Sequence, residues 1–70
     1  MEKLTICNTA TPWKEYVIGS PGLEEGFKVS GFCLVSDNHV IIRLERFVDN
    51  QRESISVNIC GIPFIYERNN

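Results

Sequence analysis

Residues 27–60 read FKVSGFCLVSDNHVIIRLERFVDNQRESISVNIC, and the way apolar residues alternate around Asp37-Asn38 and Asp49-Asn50 decides the fold. Successive side chains of a strand point to opposite faces, so the choice of turn fixes which residues share a face. Asp and Asn tolerate left-handed backbone, which suits Asp37-Asn38 to a two-residue hairpin turn. That turn pairs Ser36 with His39, Val35 with Val40, Cys33 with Ile42, Gly31 with Leu44 and Phe27 with Val48, and no bulge is required. A four-residue connection at Asp49-Asn50-Gln51-Arg52 then sets Val48 against Glu53, Leu44 against Val57 and Ile42 against Ile59. Gly61-Ile62 offers a third tight turn with glycine first, starting a last strand at Pro63 and placing Phe64 against Ile59 and Tyr66 against Val57.

These three turns agree on one apolar face made of Phe27, Val29, Cys33, Val35, Val40, Ile42, Leu44, Ile55, Val57, Ile59, Phe64 and Tyr66. Agreement between turn chemistry and the global pattern is what a foldable sequence shows. The expected fold is therefore mainly β, a four-stranded antiparallel meander over residues 27–68, with a small α+β arrangement or closure into a small barrel as the alternatives.

A sheet with one buried face needs a second layer, and residues 1–19 are expected to supply it. Leu4 and Ile6 alternate with polar neighbours between Lys3 and Cys7, a short strand signal. Thr11-Pro12 has the form of a helix start, with Thr as N-cap and Pro at the first helical position. Trp13, Tyr16 and Val17 then fall on one helical face before Gly19, although Tyr16-Val17-Ile18 reads equally well as strand. Residues 20–26, rich in Gly, Pro and Ser, form a loop. The 70 residues are read as one small domain, near the lower end of what one core can stabilise.

At 43% hydrophobic and 23% charged residues the composition is that of a globular chain and not of a disordered one. A formal net charge of −2 gives no broad attraction to nucleic acid or to an anionic membrane. The three cysteines, Cys7, Cys33 and Cys60, are odd in number and far apart, which fits a reducing cytosol better than a disulfide framework. The start MEKLTIC lacks the apolar core of a signal peptide, and no apolar run approaches the ~18 residues of a membrane span. A complete short product that stays in a cytoplasm, without a membrane partner, is the expectation.

The residues that could carry chemistry are sparse. His39 lies beside Ser36 and Asp37, but residues crowded around one tight turn do not supply the base, orienter and oxyanion donors of acyl transfer. Zinc sites need four converging ligands at close paired spacing, which three scattered cysteines and one histidine do not provide. No GxxxxGK[ST], GxGxxG or HExxH pattern occurs. Glu24-Glu25 reads as solvating charge. No enzyme activity, cofactor or metal is expected.

The second face of the expected meander carries Phe32, Leu34, Ile41, Cys60 and Ile65 as an apolar cluster near Asp37-Asn38, with Arg43 and Phe47 further along it. Contiguous apolar patches on a surface mark contact sites, unless a loop such as Pro21–Leu23 covers them. Phe32, Leu34, Ile41, Arg43, Phe47 and Ile65 are accordingly the expected partner-binding residues. An unpaired edge strand offers a second route by β-augmentation. The expected function is that of a non-enzymatic protein-interaction module, such as an inhibitor, adaptor or regulatory accessory protein of viral or mobile-element type, binding another protein or itself. The alternative is a small β-barrel that binds nucleic acid, using Trp13, Phe32 and Phe47 among Lys14, Lys28, Arg43 and Arg46 for stacking and phosphate contact.

Overall fold

A computed structural model describes residues 2–7, 14–21 and 23–68. It contains β1 (Glu2–Ile6), β2 (Lys14–Val17), β3 (Lys28–Ser36), β4 (His39–Val48), β5 (Gln51–Cys60) and β6 (Phe64–Arg68). They form two three-stranded antiparallel sheets, in the orders β2-β1-β6 and β3-β4-β5. The mainly β expectation holds; the four-stranded meander, the helix and barrel closure do not.

The best-formed hairpin joins β4 to β5. Asp49 (φ 52°) and Asn50 (φ 63°) both take the left-handed conformation, as a two-residue type I′ turn requires, and the twist of such a turn matches that of its strands. The ladder runs without interruption from Val48 opposite Gln51 to His39 opposite Cys60, with Leu44 facing Ile55, Ile42 facing Val57 and Val40 facing Ile59. The expected four-residue connection is thus corrected to two residues. Because partners slide by an even number of positions, every side chain keeps its expected face.

The β3–β4 hairpin departs further. Ser36 does pair with His39, but neither Asp37 nor Asn38 takes a positive φ, and a turn of that kind splays the strands it joins. The register shifts between Leu34 and Ser36, and again between Val29 and Gly31. Each bulge carries one extra residue and moves the following side chains to the other face. Leu34 thereby faces Val40, Phe32 faces Ile42 and Cys33 faces Ile41, while the second shift returns Val29 to a place opposite Leu44. The bulge-free pairing is overturned, and Cys33 and Val35 are exposed instead of buried.

After Cys60 the chain leaves its sheet. Gly61 turns with φ 74°, but β6 pairs with β1, from Glu2 opposite Arg68 to Ile6 opposite Phe64. Pro63 has no N–H to give a hairpin ladder with β5; its carbonyl instead accepts the Cys7 N–H at 2.9 Å, which extends the β1 ladder. The expected fourth meander strand is therefore the edge of the other sheet.

On the N-terminal side the helix reading is corrected, and the alternative strand reading holds for Tyr16 and Val17. Lys14–Val17 is strand, with Tyr16 opposite Leu4 and Val17 opposite Lys3. A helix this short is marginal, whereas Tyr and Val gain a ladder partner and a packing surface as strand. Thr11, Pro12 and Trp13 lie outside the described residues.

Leu4, Ile6 and Tyr16 of the first sheet share one core with Val29, Val40, Ile42, Leu44 and Ile59 of the second. Leu4, Val29, Val40, Ile42 and Leu44 are all but fully buried, each contributing about 1.5–3 kcal/mol. Phe32 meets Tyr66 edge to face across the layers, with ring centroids 6.1 Å apart. The sheets also touch at one margin, where the Gly19 N–H donates to the Val29 carbonyl at 2.8 Å and the Val29 N–H to the Ser20 carbonyl at 3.0 Å. The β5 edge pairs with no described strand, so no barrel closes. Among the described residues no helix is long and apolar enough to cross a membrane.

Candidate interaction surface

Strand length positions the exposed surface. The strands of the first sheet have four or five residues, whereas β4 and β5 have ten each. The first sheet therefore covers only the part of the second that holds Val29, Val40, Ile42, Leu44 and Ile59. Beyond Leu44, β4 and β5 run on as an arm capped by Asp49-Asn50. On this arm Phe47 is 68% exposed and Val48 42%, and at its base Ile55, opposite Leu44, is 37% exposed. Arg46 braces it, stacking over the Phe27 ring at 4.7 Å and pairing with Glu53 at 3.0 Å. Arg52 pairs with Glu45 at 2.9 Å on the opposite side.

The six sequence-derived contact residues do not gather in one place. The bulges turn Phe32 and Leu34 to the inner face, where Phe32 packs against the core and Leu34 stays 49% exposed. Ile41, Arg43 and Phe47 share the outer face of β4. Ile65 sits on the other sheet, opposite Thr5, beside an open apolar groove between the Asp37-Asn38 turn and Ile62 to Ile65. Only Ile41, Arg43 and Phe47 remain together. Val48 and Ile55, assigned to the core or passed over in the sequence, are exposed because nothing described lies over the arm. Counting the few residues available for a covering layer against two ten-residue strands would have signalled this.

On the outer face, His39 Nε2 lies 2.9 Å from Asn58 Oδ1 beside the Asp37-Asn38 turn. Ser36 Oγ donates to Asn38 Oδ1 at 2.8 Å, so the Ser36 hydroxyl serves the turn and not the histidine. Among the described residues no three His, Cys, Asp or Glu side chains converge as metal ligands do. In the first sheet the Tyr66 hydroxyl donates to the Glu2 carboxylate, and this bond, with burial adding to it, raises the phenol above its ordinary pKa. In comparisons with known proteins, no family model matches the chain, and neither a curated protein nor a solved structure does.

Proposed function

We propose that this chain is a non-enzymatic protein-interaction module of the cytoplasm, binding a partner protein or a second copy of itself along the free edge of β5. The observation that carries this reading is β5, a ten-residue strand with Ile59 as its single buried residue and an outer edge that no described strand pairs. Exposed edges are ordinarily blunted by proline, charge or a bulge. Gln51–Cys60 has no proline, its ladder with β4 has no bulge, and its two charges, Arg52 and Glu53, sit at the tip in ion pairs with β4. Ser54 to Cys60 is an uncharged edge with Ile55 exposed beside it, which suits main-chain pairing with an added strand.

Affinity capture from the host with the wild type and with the Ile55→Lys/Ser56→Lys double variant tests this, alongside sedimentation of both. The reading expects one stoichiometric partner or a self-associated species, lost in the variant while the melting temperature holds. A wild type that sediments as a monomer and retains nothing would remove it; a partner retained equally by the variant would move the surface elsewhere.

The nucleic-acid reading draws on exposed Phe47 near Lys28, Arg43 and Arg52. It expects a salt-sensitive shift with single-stranded oligonucleotides that disappears in Lys28→Glu/Arg43→Glu.

A further inference from the structure

Arg43 stands in the middle of the outer face without a carboxylate. Arg46 and Arg52 are held by Glu53 and Glu45, but Arg43 has no ion-pair partner among the described residues, and its neighbours in register are Gly31 on one side and Ser56 on the other. Gly31 is not required by the fold. Its φ is not in the left-handed range, and an added Cβ would meet nothing within 4 Å. What the glycine does is leave the space beside Arg43 open.

Hydroxyl groups surround that space. Ser30 lies at the second β3 bulge, and Ser54 and Ser56 share the outer face of β5; with Arg43, Arg52 and Ile55 they line one recess. Bulges commonly re-aim a side chain at functional positions. A guanidinium gives forked donors suited to two oxygens of an oxyanion, and serine hydroxyls can supply the remaining ones. The local balance is positive although the chain is acidic: Lys28, Arg43 and Arg52 oppose one carboxylate, Glu45, on this face.

We infer that the recess formed by Ser30, Arg43, Ser54 and Ser56 is a binding site for a single phosphomonoester group. Donors arriving from three strands around an open centre suit a tetrahedral dianion better than a planar carboxylate. One group matches the site, because Arg43 is the one guanidinium of the recess that no described carboxylate holds, Arg52 being paired with Glu45. The group could be carried by a small metabolite or by a phosphorylated side chain of a protein. The site itself does not depend on the protein-interaction reading, which bears only on that source.

The test is an amide NMR titration of the full chain at constant ionic strength with inorganic phosphate, O-phosphoserine, a phosphoserine peptide with its unphosphorylated form, acetate, and oligothymidylate. Saturable shifts are expected at Ser30, Gly31, Arg43, Ser54 and Ser56 with the phosphomonoesters, at least tenfold weaker with acetate. Arg43→Gln, at an exposed position, should weaken phosphate binding tenfold or more while leaving the remaining spectrum in place. Gly31→Val, which adds bulk beside Arg43 and keeps the charge, should weaken it similarly. A peptide binding more tightly than O-phosphoserine assigns the group to a protein; equal affinities assign it to a small metabolite. Shifts that never saturate, or an unchanged Arg43→Gln titration, would overturn the site. Oligothymidylate outcompeting phosphate, with shifts spread along the face, would replace it with a nucleic-acid surface. Should Gly31→Val fail to fold, the Arg43→Gln result decides.

Discussion

β1 and β5 have the same share of apolar residues, Leu4 and Ile6 in five positions against Ile55, Val57, Ile59 and Cys60 in ten, yet their surroundings differ sharply. β1 is the central strand of its sheet and buries Leu4, Thr5 and Ile6 in succession; β5 is an edge and buries Ile59 alone. Composition does not separate the two strands. Two neighbours and a facing layer make one of them interior, and their absence leaves the other as surface.

The largest way to break this contrast is to delete apolar volume at the two strands in turn. Leu4→Ala should cost about 2–5 kcal/mol through lost burial and the cavity it leaves, a large part of the 5–15 kcal/mol typical of a whole domain. Ile55→Ala should stay within about 1 kcal/mol. Urea unfolding followed by fluorescence measures both, and equal losses would show that β5 is covered in solution.

A smaller effect is expected at the turn that holds β5 to β4. Asn50 has φ 63°, a conformation that a residue with a Cβ and no local polar side chain adopts at a cost of about 1–2 kcal/mol. Asn50→Ala should lower stability by that amount, and Asn50→Gly should not. If amide exchange speeds up in β5 before β1 in the alanine variant, the hairpin is the main restraint on the edge.

The smallest effect belongs to the first sheet. The hydroxyl of Tyr66 donates to Glu2 and its pKa is raised, so its neutral form is favoured in the folded chain. The stabilisation is complete below the phenol pKa of the unfolded chain, about 10, and is lost as pH rises through the higher folded value. Being partly exposed, the bond is worth about 1 kcal/mol or less. Tyr66→Phe should lose that amount at pH 8, and stability measured from pH 8 to 11 should fall less steeply than in the wild type.

The β class, the Leu4–Ile6 strand and the inward set Val40, Ile42, Leu44, Val57 and Ile59 were legible because period-two alternation survives an even slip of register. The bulges at Ser30 and Val35 were not, since the letters Asp-Asn do not reveal whether a turn takes positive φ: Asp49-Asn50 does and Asp37-Asn38 does not. The register shift between Leu34 and Ser36 places Phe32 and Leu34 inward and disperses the expected contact cluster. The partner of β6 was hidden for another reason. Whether Phe64 and Tyr66 face Ile59 and Val57 or Ile6 and Leu4 is a choice between two apolar surfaces of equal local merit, settled by the unmet pairing of β1. Arg43 was noticed as a cation, but its open surroundings depend on a register that the turn alone could not supply.

The pairing of β1 with β6 also orders events in time. β3, β4 and β5 are joined by tight turns and can associate as soon as they are made, whereas Leu4 must wait for Tyr66, almost the whole chain away. Such long-range closure slows folding. During synthesis the β1–β2 pair and the two hairpins would form first, and Phe32 would lack the Tyr66 ring that packs on it until β6 had left the ribosome.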